Sequence, residues 1–207
     1  MIKICGLTRE HDAQVAAEAG ADALGFVFAP GPRHMTSAAV AAITAHLPAG
    51  PLRVGVFVDA PAVQLRAAVA AGLTALQLHG HEPPELAAEL AGLTLWKAVV
   101  MNRPEAAAQF EAWRPHAAAL LLDGGPGGSG ERFDWGQAAA LGEQTGARII
   151  VAGGLTPDTV AACVRRARPW GVDVSSGVER TPGRKDPVMV RDFIQAARDA
   201  FAALGAA

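Results

Sequence analysis

The 207-residue chain predicts an α/β fold, a single (β/α)8 TIM barrel whose parallel sheet closes on itself. Three observations carry that expectation. A strand-like run followed by an amphipathic, alanine-rich run recurs along nearly the whole length. Eight such units at about 26 residues each suit the compact end of these barrels. Polar and glycine residues also gather just after the strand-like runs, where a barrel builds its working face, while the opposite ends hold helix caps. An open doubly wound sheet is the runner-up, but it would want a topological switch and usually a first-turn Gly-x-Gly-x-x-Gly, which the first unit lacks. One domain is expected over 1–207, with the glycine-rich piece Gly124–Gly130 a loop inside one unit.

The expected strands are Ile2–Cys5, Ala23–Phe28, Leu52–Val58, Thr74–Leu78, Leu95–Val100, Ala118–Asp123, Arg148–Ala152 and Gly171–Ser175. Between them the pattern predicts helices over 8–19, 36–46, 61–71, 83–91, 104–113, 134–145 and 156–166, and a last one over 187–204. Gly20, Gly50, Gly72, Gly92 and Gly146 stand where a left-handed residue closes a helix before the next strand. Thr8, Asp59, Thr156 and Asp186 stand as helix N-caps, the last three with proline close behind.

Net charge is −2 and the charged positions are scattered, which excludes the basic field a nucleic-acid binder presents. No apolar run approaches the ~20 residues of a membrane span, and no basic stretch followed by an apolar one opens the chain as a signal peptide would. Two cysteines, Cys5 and Cys163, make no disulfide framework, so a cytoplasmic location is expected. Lysine occurs only at Lys3, Lys97 and Lys185 in a chain otherwise rich in arginine, which hints at positions where the guanidinium does not fit.

Cys5 ends the first strand ahead of a helix start, a placement expected to lower a thiol pKa and make it a base or nucleophile. Asp123 ends the apolar run Ala118–Leu122, where desolvation would raise a carboxyl pKa towards neutrality and make it a general acid. Gly153 and Gly154 after strand seven, with Ser175, Ser176 and Gly177 after strand eight, form the expected phosphate cradle. Arg33, in the stiff loop Pro30–Arg33, would hold a carboxylate. His79 lacks partners at ligand spacing, so a hydrogen-bonded structural role is expected rather than a metal site; His81 is expected on the surface and Cys163 in helix packing. Strand alternation puts Lys3 and Asp173 inside, and closure makes their strands neighbours, so an interior ion pair is expected beneath the active face.

Taken together, Lys3-Ile-Cys-Gly-Leu-Thr8, Gly25-Phe-Val-Phe28, Pro32-Arg33, Val54–Asp59, Leu76-Gln-Leu-His-Gly80, Leu121-Leu-Asp123, Gly127–Gly130 before Phe133-Asp-Trp135, Ala152-Gly-Gly-Leu155 and Asp173–Glu179 with Gly183–Asp186 resemble the phosphoribosylanthranilate isomerase family of tryptophan biosynthesis. The resemblance implies a metal-free and cofactor-free rearrangement of a small-molecule phosphoribosyl substrate, N-(5′-phosphoribosyl)anthranilate, by a monomer or homodimer with no nucleic-acid or membrane partner. It implies Asp123 as the acid that opens the furanose ring and Cys5 as the base that takes the C2′ proton. Arg33 would hold the anthranilate carboxylate, and Gly153, Gly154, Ser175, Ser176 and Gly177 the phosphate. The chain departs from the family pattern in a loop before Arg33 shorter by about one residue, in Ser129 and Glu131 for Thr and Lys, and in His81 for an acidic residue. Two other readings stand beside it: another phosphosugar isomerase or epimerase barrel, and a barrel that binds a phosphate ligand without turnover.

Overall fold

The computed structural model describes residues 1–125, 127 and 129–205. Pro126 and Gly128 of the glycine-rich piece, and Ala206 and Ala207 at the end of the expected domain, lie outside the described residues.

The strands β1 (Ile2–Ile4), β2 (Ala23–Val27), β3 (Leu52–Phe57), β4 (Ala75–Leu78), β5 (Leu95–Val100), β6 (Ala119–Asp123), β7 (Ile149–Val151) and β8 (Gly171–Val174) follow one another around a closed parallel barrel. β8 pairs with β1 in the register Lys3↔Asp173. The closed-barrel expectation holds, and each strand lies within the run expected for it. The helices are α1 (Glu10–Glu18), α2 (Ser37–Thr44), α3 (Ala62–Ala70), α4 (Leu86–Glu89), α5 (Ala106–Trp113), α6 (Trp135–Thr145), α7 (Pro157–Ala167) and α8 (Pro187–Gly205). After β8 the chain makes a 3-10 turn (Ser176–Val178) and a small antiparallel pair, β9 (Glu179–Thr181) and β10 (Arg184–Lys185).

Local chemistry explains several of the element ends. Thr156 caps α7 in a reciprocal capping box with Thr159, and Asp186 accepts the Val188 N–H at 2.8 Å to open α8. Gly146 ends α6 at φ +67°, a conformation open to glycine at no steric cost. Two expected caps are corrected. Thr8 does not cap α1, whose N-cap is Arg9; its hydroxyl donates to the Gly183 carbonyl at 2.5 Å. Asp59 does not cap α3, whose N-cap is Pro61; it accepts the His81 N–H at 2.6 Å. α4 is a single turn rather than the expected 83–91, because Pro84 keeps Pro83 out of the helical region and Glu82 is drawn inside.

Side chains alternate across each strand, which divides the interior into two cores. Ala23, Val54, Ala75, Trp96, Ala119, Leu121 and Ile150 fill the barrel lumen. Trp96 is the bulkiest of these side chains and sits in register with Ala119 on the neighbouring strand. Ile4, Leu24, Phe26, Phe57, Leu76, Leu120 and Val172 face outwards into the larger core beneath the helices.

All three lysines are buried, and each ammonium meets a carboxylate. Lys3 reaches Asp173 at 3.0 Å in the lumen, as expected from closure. Lys185 reaches Glu179 at 2.8 Å. Lys97, on the outer face of β5, reaches Glu82 at 2.7 Å and the Gly80 carbonyl at 2.6 Å. Glu82 in turn accepts the N–H groups of Asp59 (2.9 Å) and Gly80 (3.1 Å), so this pair shapes the turn after β4. Removing one partner of a buried pair strands the other charge without water. Glu82→Ala is therefore expected to lower stability by about 3–5 kcal/mol in urea unfolding. The double replacement of Lys97 by Met and Glu82 by Leu should recover only part of that loss, because the Asp59 and Gly80 N–H groups and the Gly80 carbonyl then lose these partners.

Candidate active site

The carboxyl ends of the strands surround a cavity of about 450 Å³. Cys5, Arg33, Asp123, Gly153, Gly154, Ser175, Ser176 and Gly177 all line it. Cys5 follows β1 on the same face as Lys3, and its amide donates to the Val174 carbonyl of β8 at 2.8 Å. Gly25 of β2 makes space for both side chains. A Cβ there would stand 2.8 Å from Cys5 Sγ and 3.1 Å from Lys3 Cε. Asp123, the last residue of β6, is buried, with Oδ1 accepting the Gly125 N–H at 3.3 Å.

Gly153 and Gly154 adopt φ +87° and +61°, and their amides, like those of Ser176 and Gly177, donate to no other described residue. Any side chain here would meet backbone. A Cβ at Gly153 would collide with the Glu131 carbonyl, one at Gly154 would lie 2.5 Å from the Gly130 carbonyl, and one at Gly177 would strike the Leu155 carbonyl. The Arg132 Nε donates to the Gly154 carbonyl at 3.1 Å and steadies this wall. Uncommitted N–H groups on two adjoining loops, with Ser175 and Ser176 lining the same cavity, have the chemistry that receives an anion.

Arg33, expected to hold a carboxylate, meets one from within the chain. Its Nε and Nη2 donate to Glu179 at 2.9 and 2.7 Å, in a two-pronged pair at the edge of the cavity. His79 makes the expected hydrogen bond but also faces Asp123, which sequence reasoning missed. The Gln77 amide lies 3.3 Å from His79 Nδ1. His79 Nε2 is 3.8 Å from Asp123 Oδ2 and, like Gln77 Oε1, is buried with no hydrogen-bond partner among the described residues. Among those residues no three His, Cys, Asp or Glu side chains are grouped to hold a metal ion. His81 is exposed, and Cys163 is buried in α7, both as expected.

The family model described as N-(5′phosphoribosyl)anthranilate (PRA) isomerase matches residues 2–196. The N-(5′-phosphoribosyl)anthranilate isomerase of Symbiobacterium thermophilum is 46% identical, covering 95% of this chain and 97% of the relative. A crystal structure of phosphoribosyl anthranilate isomerase in complex with reduced 1-(o-carboxyphenylamino)-1-deoxyribulose 5-phosphate is 35% identical, with a TM-score of 0.86 over 96% of this chain and 98% of the other. Monomers generated from the dimeric Thermotoga maritima enzyme are 34% identical, with a TM-score of 0.84 over 95% and 97% of the two chains.

Burial governs the proton affinities in the mouth. Loss of water pushes the Asp123 carboxyl up to about 7, with the Asp173 charge adding to the rise and the Gly125 amide opposing it. Burial also pushes the Cys5 thiol up, against the pull of Lys3. This overturns the expected lowering. Gly6, at φ +72°, turns the chain away, and α1 starts only at Glu10, so burial outweighs any helix effect on the sulfur. His79 is lowered to about 4 by burial and by the charges of Lys97 and Lys3, so its ring is neutral at pH 7. In a carboxyl-carbon NMR titration of the protein, one aspartate is expected to titrate near pH 7. Its absence from the Asp123→Asn spectrum would assign it.

Proposed function

Since the chain belongs to the N-(5′-phosphoribosyl)anthranilate isomerase family, we propose that Cys5 and Asp123 are the base and the acid with which it carries out that family's reaction. The reaction converts N-(5′-phosphoribosyl)anthranilate to 1-(2-carboxyphenylamino)-1-deoxyribulose 5-phosphate, an aldose–ketose isomerisation in tryptophan biosynthesis. The observation that carries the assignment is a carboxyl held near pKa 7 by burial, in one cavity with a thiol and uncommitted N–H groups.

The phosphate is bound by the amides of Gly153, Gly154, Ser176 and Gly177 and the hydroxyls of Ser175 and Ser176, and the anthranilate carboxylate by Arg33. Asp123 gives its proton to the furanose ring oxygen. The C1′–O bond breaks as the nitrogen lone pair forms the C1′=N bond, which leaves a protonated Schiff base. The Cys5 thiolate then takes the proton from C2′, and the released electron pair forms C1′=C2′ while the C=N pair returns to nitrogen. The resulting enolamine tautomerises: the 2′-hydroxyl loses its proton, C1′ gains one, and the ketone forms. After ring opening the Asp123 carboxylate keeps the Gly125 N–H at 3.3 Å, with His79 Nε2 3.8 Å away on its other oxygen.

The described helices include none long and apolar enough to cross a membrane. A cytoplasmic location fits the chemistry, since Cys5 must remain a free thiol to act as a base. A homodimer like that of the Thermotoga maritima relative is the assembly we favour.

Loss of anthranilate fluorescence on adding protein to freshly made substrate tests the reading. Asp123→Asn is expected to lower the rate by about 10²–10⁴-fold. The pH profile tests the division of roles. The working form has Asp123 protonated and Cys5 ionised, yet Asp123 has the lower pKa of the two. Below pH 7 the thiolate fraction falls about tenfold per unit while Asp123 stays protonated. Between the two values the fractions change in opposite directions and cancel. Above the thiol value the protonated fraction of Asp123 goes on falling. We expect kcat/KM to rise to about pH 7, stay level until the thiol titrates, then fall. A profile that falls from pH 7 upwards would overturn the assignment.

A further inference from the structure

The carboxylate of Glu179 is buried at the rim of the mouth and ties three segments together. Its Oε2 accepts from Arg33 Nη2 (2.7 Å), and its Oε1 from Arg33 Nε (2.9 Å), Lys185 Nζ (2.8 Å) and the Gly183 amide (3.3 Å). The arm of Arg33 reaches it by crossing Gly6, where a Cβ would stand 2.5 Å from Arg33 Cδ. Lys185 is itself held, with Nζ donating to the Ser175 carbonyl at 3.0 Å and its amide to Asp12 at 3.1 Å. Two of the three guanidinium nitrogens are thereby committed, and the side chain enters the cavity wall in one orientation.

We propose that Glu179 is the positioning residue that presents Arg33 to the substrate carboxylate and sets the charge there to match a monoanion. The proposal rests on the reading of Arg33 given above. Arg33, Lys185 and Glu179 together carry one net positive charge, the complement of a single carboxylate. Both hydrogens of Nη1, and the second hydrogen of Nη2, remain for the ligand. Holding the arginine in place during folding spares the ligand the loss of its rotamer freedom. A bare arginine in a mobile loop would attract any anion; an arginine clamped on its far edge favours a planar carboxylate arriving on the near one.

Inhibition constants separate this role from simple stitching of the β9–β10 hairpin. The two inhibitors are the reduced product analogue, which carries both anions, and inorganic phosphate, which carries only the cradle's. They are measured on the wild-type protein, Glu179→Gln, Arg33→Ala and the double variant. Glu179→Gln is expected to weaken the analogue about tenfold, to leave phosphate within about twofold, and to add nothing once Arg33 is alanine. Glu179→Asp, which keeps the charge but shortens its reach, should fall between wild type and Glu179→Gln for the analogue, and it carries the test if Glu179→Gln does not fold. Equal weakening of analogue and phosphate, or a Glu179 effect that persists in full without Arg33, would overturn the proposal. An Arg33→Ala variant that binds the analogue as wild type does would instead overturn the role given to Arg33, and the proposal with it.

Discussion

A lysine ammonium sealed inside the barrel, Lys3, sets the terms on which the mouth above it works. An unpaired charge in an alanine- and Trp96-lined lumen would be untenable, so its 3.0 Å pair with Asp173 is a condition of the fold. The pair also closes the ring chemically, since its members sit opposite each other on β1 and β8. Its field then reaches Cys5, Asp123 and His79. Lys3 favours the Cys5 thiolate, favours the Asp123 carboxylate and opposes a proton on His79, while Asp173 works against the first two. The two charges largely cancel at a distance, which leaves burial as the dominant influence on Cys5 and Asp123.

The barrel was legible because its signals are local. Alternation, helix-closing glycines and the Thr156 and Asp186 caps each depend on a few neighbouring residues, and strand after strand fell inside its expected run. The Lys3–Asp173 pair spans the chain, yet it followed from two rules, period-two alternation and the adjacency of first and last strands. The scarcity of lysine pointed the same way: all three ammonium groups occupy sites closed to water, where a compact tetrahedral donor can bond a carboxylate and carbonyls together. The raised proton affinity of Asp123 was legible because the apolar run before it announces its desolvation.

What the sequence concealed lies in contacts that no spacing rule encodes. Nothing near Arg33 shows that its partner is Glu179, which is set by how the loop after β2 drapes over Gly6 onto the β9–β10 hairpin. Gly25 looks like an ordinary strand glycine until its missing Cβ is seen to house a sulfur and a lysine arm. His79 was judged by whether it had metal-binding companions, when its telling neighbour was a carboxyl one strand beyond β5. Cys5 was misjudged for a related reason. Sequence shows a helix following a thiol, but not the turn at Gly6 that separates them or the depth at which the sulfur sits.

On the proposed assignment of Asp123 as acid and Cys5 as base, burial acts on the two in opposite senses. For Asp123 it is pure gain, since a carboxyl near pKa 7 is both populated and acidic enough to protonate a sugar oxygen at neutral pH. For Cys5 the same loss of water makes the thiolate rarer. The loss is partly repaid in reactivity, because thiolates of higher pKa are intrinsically stronger, with a Brønsted slope of about 0.4–0.5 in their reactions with disulfides. A similar slope for proton abstraction would return about half of each decade lost in population as a gain in rate per thiolate. An apolar mouth that must raise Asp123 thus need not disable Cys5, provided cations stand close enough to limit the rise. Lys3 and Lys185 both act on the sulfur in that direction, and each is held there by its own buried carboxylate.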